Sequence, residues 1–294
     1  MNSLRKYFVT ACGLVLVAGS PAAAQVDFSG EWRSLAFETG GDPRLGEYLG
    51  LPLSSDGRAV AEAWDPSVLT LPELQCRPHP IPYAEQTPGN PANAQFRWWK
   101  EIDPVTQNTV AYRKRGAWME PERTIWMDGR PHPPEYAPHT WQGFSTGEWI
   151  TPIMLKVTTT HIKEGFIRRN GAPVSDRTTV TEYFVRHGNM LTSALYIDDP
   201  VYLAEPLVST NTWTLDPRIG PQLQQRYPCG PNEIADEVIR PKGEVPHYLP
   251  GTNAAILHEF AAKYGLPYEA TRGGPETVYP EYMQKLKTMK PATK

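Results

Sequence analysis

Cysteine is scarce in this chain, with three among 294 residues. That excludes a cysteine-rich metal or disulfide scaffold, which needs many closely spaced thiols. An excess of positive charge is also missing. Lys and Arg number 29 against 32 Asp and Glu, a net of −3. Nucleic-acid binding usually requires a basic face, so no nucleic-acid partner is expected. After the N-terminus no apolar run is long enough to span a bilayer, so no stable membrane insertion is expected. No nucleotide or flavin motif is visible, and no His spacing matches H-E-x-x-H. The expectation is therefore a site without a cofactor. A divalent metal held by His132, His139 and His161, with Glu135 or Glu164, is the minor alternative.

What the chain does have begins with "MNSLRKYFVTACGLVLVAGSPAAAQ". Arg5 and Lys6 precede an apolar run, and Ala22-Ala23-Ala24 supplies small residues for cleavage. This is the pattern of a secretory signal peptide over 1–24, with a periplasmic or secreted product. Val9-Thr10-Ala11-Cys12 loosely matches a lipoprotein signal, but the apolar run continues past Cys12, which favours soluble export. Cys76 and Cys229 would then remain as a pair, read as a disulfide in an oxidising compartment. Closing so long a loop would stabilise by about 3–5 kcal/mol. Proline is abundant at 31 residues, with 23 Gly and 11% aromatics. Such a chain folds, with long structured loops.

Short β-rich runs bounded by turn residues dominate the middle: Phe96–Ile102, Asn108–Arg115, Arg123–Met127, Ile153–His161, Arg177–His187, Met190–Ile197 and Leu207–Leu215. Gly188-Asn189 forms a two-residue hairpin turn. Short links favour an antiparallel meander. Helices are expected near Gly57–Ala63, along "NAAILHEFAAKYG" up to Gly265, and after Pro280. The predicted fold is an all-β antiparallel lipocalin-like (calycin-type) barrel over 25–250. A helical C-terminal extension, 251–294, would pack on it. "FSGEW" (Phe28–Trp32) recurs as "FSTGEW" (Phe144–Trp149). A Gly-x-Trp at the start of a first strand is the lipocalin-like pattern, with the Trp plugging the closed end.

Strand alternation predicts the interior. Leu155, Val157, Thr159 and His161 share one face with Ile153, which sends His161 inward. Glu182 shares a face with Val180, Phe184 and Arg186. Ser209 and Asn211 share one with Leu207, Trp213 and Leu215. Polar groups at inward positions point to a partly wet, ligand-sized cavity, with a packed sandwich as the alternative.

The stretch "TIWMDGRPHPPEYAPHTWQGFSTGEW" concentrates chemistry. Asp128-Gly129 is a turn, and Pro131, Pro133, Pro134 and Pro138 force an extended, stiff loop. Stiffness favours convergence of side chains. Asp128, His132, His139 and His161 are the candidate catalytic residues. Asp128 would fix the tautomer of His132, the imidazoles would move protons, and Arg130 would hold a developing negative charge. Arg130, Trp141, Ser145, Trp149, Arg177, Glu182, His187 and Tyr202 are the candidate substrate-binding residues. "GFSTG" formally matches G-x-S-x-G around Ser145. The Pro and β-branched residues after it, however, oppose the helix that a nucleophile elbow needs. The polar connection Thr160–Arg177 is a candidate lid over the barrel mouth. The segment "DDPVYLAEP" would line the same rim.

"RTIWMDGRPHP", "HTWQGFSTGEW", "TTTHIKEGFIRRNG", "DDPVYLAEP" and "LPGTN…ATRGG" together resemble a family of exported bacterial proteins of proteobacteria and acidobacteria. The resemblance runs from about Phe28 to Tyr282. It implies a lipocalin-like barrel and periplasmic export, and attaches no reaction. Members usually follow the second Gly-Glu-Trp with E-G-D-T-L-V-V, whereas this chain reads "ITPIMLKV". That change is expected to alter the local hairpin register.

Two functions follow. The first is a periplasmic enzyme (lyase, isomerase or hydrolase) acting on a small organic substrate in the barrel cavity by His/Asp acid–base chemistry. The second is a non-catalytic lipocalin-like carrier, holding a hydrophobic or aromatic small molecule among Trp98, Trp126, Trp141 and Trp213. Either takes a small-molecule partner. The sequence does not specify an oligomeric state.

Overall fold

The computed structural model describes residues 25–37, 46–64, 72, 77–86, 95–116, 122–219 and 254–291. The expected signal peptide, Cys12 and the expected Cys76–Cys229 bond lie outside them.

Eleven strands form in the described residues: β1 (Gly30–Phe37), β2 (Gln95–Ile102), β3 (Thr109–Gly116), β4 (Arg123–Trp126), β5 (Phe144–Thr151), β6 (Met154–Thr160), β7 (Gly165–Phe166), β8 (Pro173–Val174), β9 (Thr179–His187), β10 (Met190–Asp198) and β11 (Leu207–Leu215). Nine of them close a barrel in the order β1-β11-β10-β9-β6-β5-β4-β3-β2. β7 and β8 form a separate small hairpin. The predicted all-β barrel with peripheral helices is the observed architecture. Gly188-Asn189 joins β9 to β10, with Gly188 at φ +59, as a two-residue hairpin turn requires.

One pairing departs from the meander. β4 and β5 run parallel, with Ile125 opposite Ser145 and Trp126 opposite Thr146. A parallel neighbour cannot be reached by a tight turn, so the connection must travel back along the sheet. Residues 127–143 make that return. They end against the tail of β6, where Thr140 N–H donates to the His161 carbonyl at 3.0 Å. Four prolines keep this return extended. The β5–β6 hairpin, where the "ITPIMLKV" departure falls, shifts register between Trp149 and Thr151.

Inward side chains change character along the strands. At one end Phe28, Trp32, Phe96, Trp98, Tyr112, Phe184 and Trp213 form an aromatic core with Ile125, Leu155, Val157 and Leu191. Trp32 is fully buried there, and its indole N–H donates to the Phe28 carbonyl. The two related motifs meet, since Phe28 stacks on Trp149 at 5.4 Å and 18°. At the other end Val180, Leu195, Ile197 and Leu207 join Ile162, Ile167, Ala172, Val174 and Ile81 in an aliphatic core. The expected lid, 160–177, is thus a packed cap. Gly171 lies against Trp64, Phe166 meets that ring edge-on at 5.4 Å, and Asn170 is buried.

The helices form no part of the barrel wall. α1 (Ser55–Ala63) starts at Ser54, whose hydroxyl accepts from Gly57 N–H. α2 (Ile81–Ala84) is a single Pro-initiated turn. α3 (Ala254–Tyr264) ends at Gly265 with φ +63, the expected stop. α4 (Tyr268–Thr271) and α5 (Pro280–Leu286) follow. This C-terminal part docks on residues 46–64: Gly50 N–H donates to Thr277 Oγ1, Arg58 to the Gly273 carbonyl, and Arg272 pairs with Glu62.

Candidate functional site

Between the aromatic and aliphatic ends, the inward positions are polar. Tyr112 gives way to Lys114, Ile125 to Arg123, Val157 to Thr159, Phe184 to Glu182, Leu191 to Ser193, and Trp213 to Asn211 and Ser209. Arg123 is the hub. Its Nε donates to Ser145 Oγ at 3.1 Å, Nη1 to Glu85 at 3.0 Å, and Nη2 to Thr159 at 2.8 Å and to Glu182. Lys114 Nζ donates to the second Glu85 oxygen at 2.5 Å, and Ser145 and Thr159 share a 2.8 Å hydrogen bond. Glu85 is the one charged member that does not belong to the wall. It follows α2, and its own carbonyl accepts from Asn211 Nδ2.

The two carboxyls behave differently. Burial pushes Glu85 up, but the Lys114 and Arg123 charges outweigh it and hold this carboxyl below its ordinary value. Burial also pushes Glu182 up. Arg123 opposes that, the Glu85 charge reinforces it, and the net shift is upward. Glu182 is thus inward, as alternation predicted, and is part of an ion network that its own members satisfy. Ser145 is interior too, bound to Arg123 and Thr159, which places it away from the imidazoles.

The histidines lie on the opposite side of the wall. His161 was expected to face inward, but its φ is +57, which breaks the strand alternation directly after β6 and turns the ring outward. Its Nδ1 lies 2.8 Å from Thr160 Oγ1, and its Nε2 lies 2.9 Å from the Pro134 carbonyl. His132 sits between two outward hydroxyls, Thr160 at 2.7 Å from Nδ1 and Thr146 at 2.8 Å from Nε2. His139 contacts the Ile162 carbonyl through Nδ1, and its ring centroid is 5.1 Å from that of His161. Three of the four expected catalytic residues therefore do meet, on the outer face of β5 and β6. Burial first, and then the neighbouring His161, push the His132 pKa below its ordinary value.

Asp128 does not serve an imidazole. It accepts from Arg130 through both oxygens, and these hydrogen bonds hold its carboxyl below the usual range. Arg130 in turn lies 3.5 Å above the Trp126 ring. Trp126 is the cross-strand neighbour of Thr146, the His132 hydroxyl partner, so the ring that carries this cation lies next to Thr146 in the sheet.

The remaining candidates disperse. Trp149 belongs to the aromatic end. Trp141 is half-buried under Lys163. Arg177 and His187 are exposed, the latter beside the β9–β10 turn. Tyr202 is half-buried beside α1, where its carbonyl accepts from Ser54 N–H. The four carrier tryptophans do not line one space: Trp98 and Trp213 are packed inside with Phe184 and Phe96, whereas Trp126 faces outward. Among the described residues no group of three His, Cys, Asp or Glu side chains is arranged to hold a metal ion, the three histidines included, and both nitrogens of His132 and of His161 face hydroxyls or a carbonyl. No helix among the described residues is long and apolar enough to cross a membrane.

Sequence reasoning missed Glu85, Lys114, Arg123, Thr146 and Thr160. Alternation could have found four of them. Arg123 and Lys114 share faces with Ile125 and Tyr112, and Thr146 and Thr160 are the outward neighbours of Ser145 and Thr159. Nothing local marks Glu85, which enters the barrel from a Pro-rich turn.

No protein-family model, curated protein or solved structure matches this chain.

Proposed function

We propose that this protein is an exported enzyme that acts on a small organic substrate by general acid–base chemistry. Its working groups are the imidazoles on the outer wall, in place of the barrel interior. One observation carries the reading: the unbroken run Thr146–His132–Thr160–His161–Pro134, with each link between 2.7 and 2.9 Å. His132 is held in place by hydroxyls on both nitrogens. Burial and the neighbouring His161 hold its pKa below the ordinary imidazole value, which favours the neutral ring that can accept a proton. Arg130 supplies a fixed positive charge nearby, oriented by Asp128. The signal-like N-terminus supports export.

The test is a comparison of wild type with His132→Gln on a panel of small esters, lactones and carbonyl compounds bearing an acidic α-proton. Removing the base should lower turnover by about 10²–10⁴-fold. If wild type turns over none of them faster than the variant, the reading fails.

A further inference from the structure

We propose that Thr146 is a nucleophile and that the outer-wall site is a hydrolase centre for small carboxylic esters. This rests on the acid–base reading above. The G-x-S-x-G pattern drew attention to Ser145, but alternation sends Ser145 inward to Arg123 and Thr146 outward to His132.

The hydrogen-bond run fixes where the protons lie. The Pro134 carbonyl can only accept, so His161 Nε2 carries a hydrogen. In the neutral ring Nδ1 is then an acceptor, and it takes the Thr160 O–H. Thr160 Oγ1 in turn accepts from His132 Nδ1–H. That leaves His132 Nε2 with a lone pair facing the Thr146 O–H at 2.8 Å. A hydroxyl, a base and a group that fixes the tautomer of the base are the three parts of an activated nucleophile. The fourth requirement, positive charge for the oxyanion, would come from Arg130, which stacks over Trp126, the cross-strand neighbour of Thr146. The side chains of Arg130 and Asp128 are 37% and 34% exposed, so a substrate can reach them.

The reaction balances with water as the only co-reactant. Thr146 Oγ1 bonds to the ester carbonyl carbon while its proton moves to His132 Nε2. The carbonyl π pair goes onto the oxygen facing Arg130. Collapse of this intermediate breaks the bond to the alkoxy oxygen, which leaves as alcohol with the proton from His132 Nε2. Water then attacks the acyl–Thr146 ester and gives its proton to the same nitrogen. The carboxylic acid departs as the proton returns to Thr146. His161 and Thr160 do not touch substrate in this scheme and are positioning residues.

The experiment uses p-nitrophenyl acetate with the purified protein, following nitrophenolate release and the acid-quenched protein by peptide mass spectrometry. A burst and an acetyl group on Thr146 are expected. Thr146→Ser should retain both, and Thr146→Ala should lose the adduct and about a hundredfold or more of the rate. His161→Gln should lower acylation. It should also move the acidic limb of the pH profile upward, because a neighbour that depresses the His132 pKa is gone. The other residues against His132 are Thr146, Thr160 and Phe144, none of them charged, and this variant leaves all three in place. Turnover unchanged in Thr146→Ala but lost in His132→Gln would overturn the covalent step and leave the acid–base reading standing. Turnover unchanged in both would sink both.

Discussion

Replacing Glu85 by Gln and Glu182 by Gln should have opposite consequences for stability, although both carboxyls touch the same guanidinium. Glu85 accepts from Lys114 and Arg123 with both oxygens, and all three side chains are 3% exposed or less. Neutralising it removes the carboxylate shared by two buried cations and leaves Glu182 as the other carboxyl on Arg123. Breaking a buried pair in this way costs about 3–5 kcal/mol. At about 2–4 °C per kcal/mol for a chain of this size, Tm should fall by roughly 6–20 °C. Glu182 has its pKa raised, so its contribution is complete below the unfolded value and is lost as pH rises through the folded one. Glu182→Gln keeps an acceptor for Arg123 and removes that loss. It should therefore match wild type near pH 4 and equal or exceed it at pH 8. For Glu85 the sign is reversed. Its lowered pKa contributes stability above the unfolded value that is lost as pH falls through the folded one. The gap between wild type and Glu85→Gln should accordingly narrow in acid. Urea unfolding at several pH values between 4 and 8 reads all of this. A Glu182→Gln variant as unstable as Glu85→Gln, or a Glu85→Gln cost under about 1 kcal/mol, would refute the assignment of the buried charges.

Arg123→Met removes the cation that pairs with Glu182 and leaves Glu85 with Lys114 alone, so its stability should fall as pH rises from 4 to 8, as followed by thermal unfolding across that range. Gly57 lies within α1, where Gly to Ala normally gains about 0.5–1 kcal/mol. Here a Cβ would sit 2.3 Å from the Tyr202 carbonyl oxygen, so Gly57→Ala should destabilise instead, with a lower urea midpoint. His161→Val should cost about 1–2 kcal/mol more than His161→Asn, because a β-branched residue resists φ +57 whereas Asn tolerates it. Denaturant unfolding of the pair measures that difference. Trp32→Ala should cost about 3–5 kcal/mol by opening the aromatic end, and the same unfolding measurement checks it.

Periodicity two was the strongest signal in this chain. It located seven of the barrel strands within a few residues and placed Glu182, Thr159, Ser209 and Asn211 inside. Those positions follow from pleat geometry, which needs no knowledge of the partner strand. β5 was less legible, because "FSTGEWIT" sits at the end of a Pro-rich loop and reads as its continuation. The histidine cluster was legible as a group of residues but not as a place. Its side of the wall depends on the parallel β4–β5 pairing, a choice made between distant segments.

The amino-acid order alone determined a barrel-forming set of alternating strands, a buried indole at Trp32, the hairpin at Gly188 and the stiffness of the loop after Met127. Each of these is a local property of side-chain parity, ring size or proline geometry. Tertiary structure alone decided that Glu85 enters the barrel to neutralise Lys114 and Arg123, and that the imidazoles gather outside it. Both depend on where a connection is forced to run once strands far apart in sequence have paired, and no short window of residues carries that constraint.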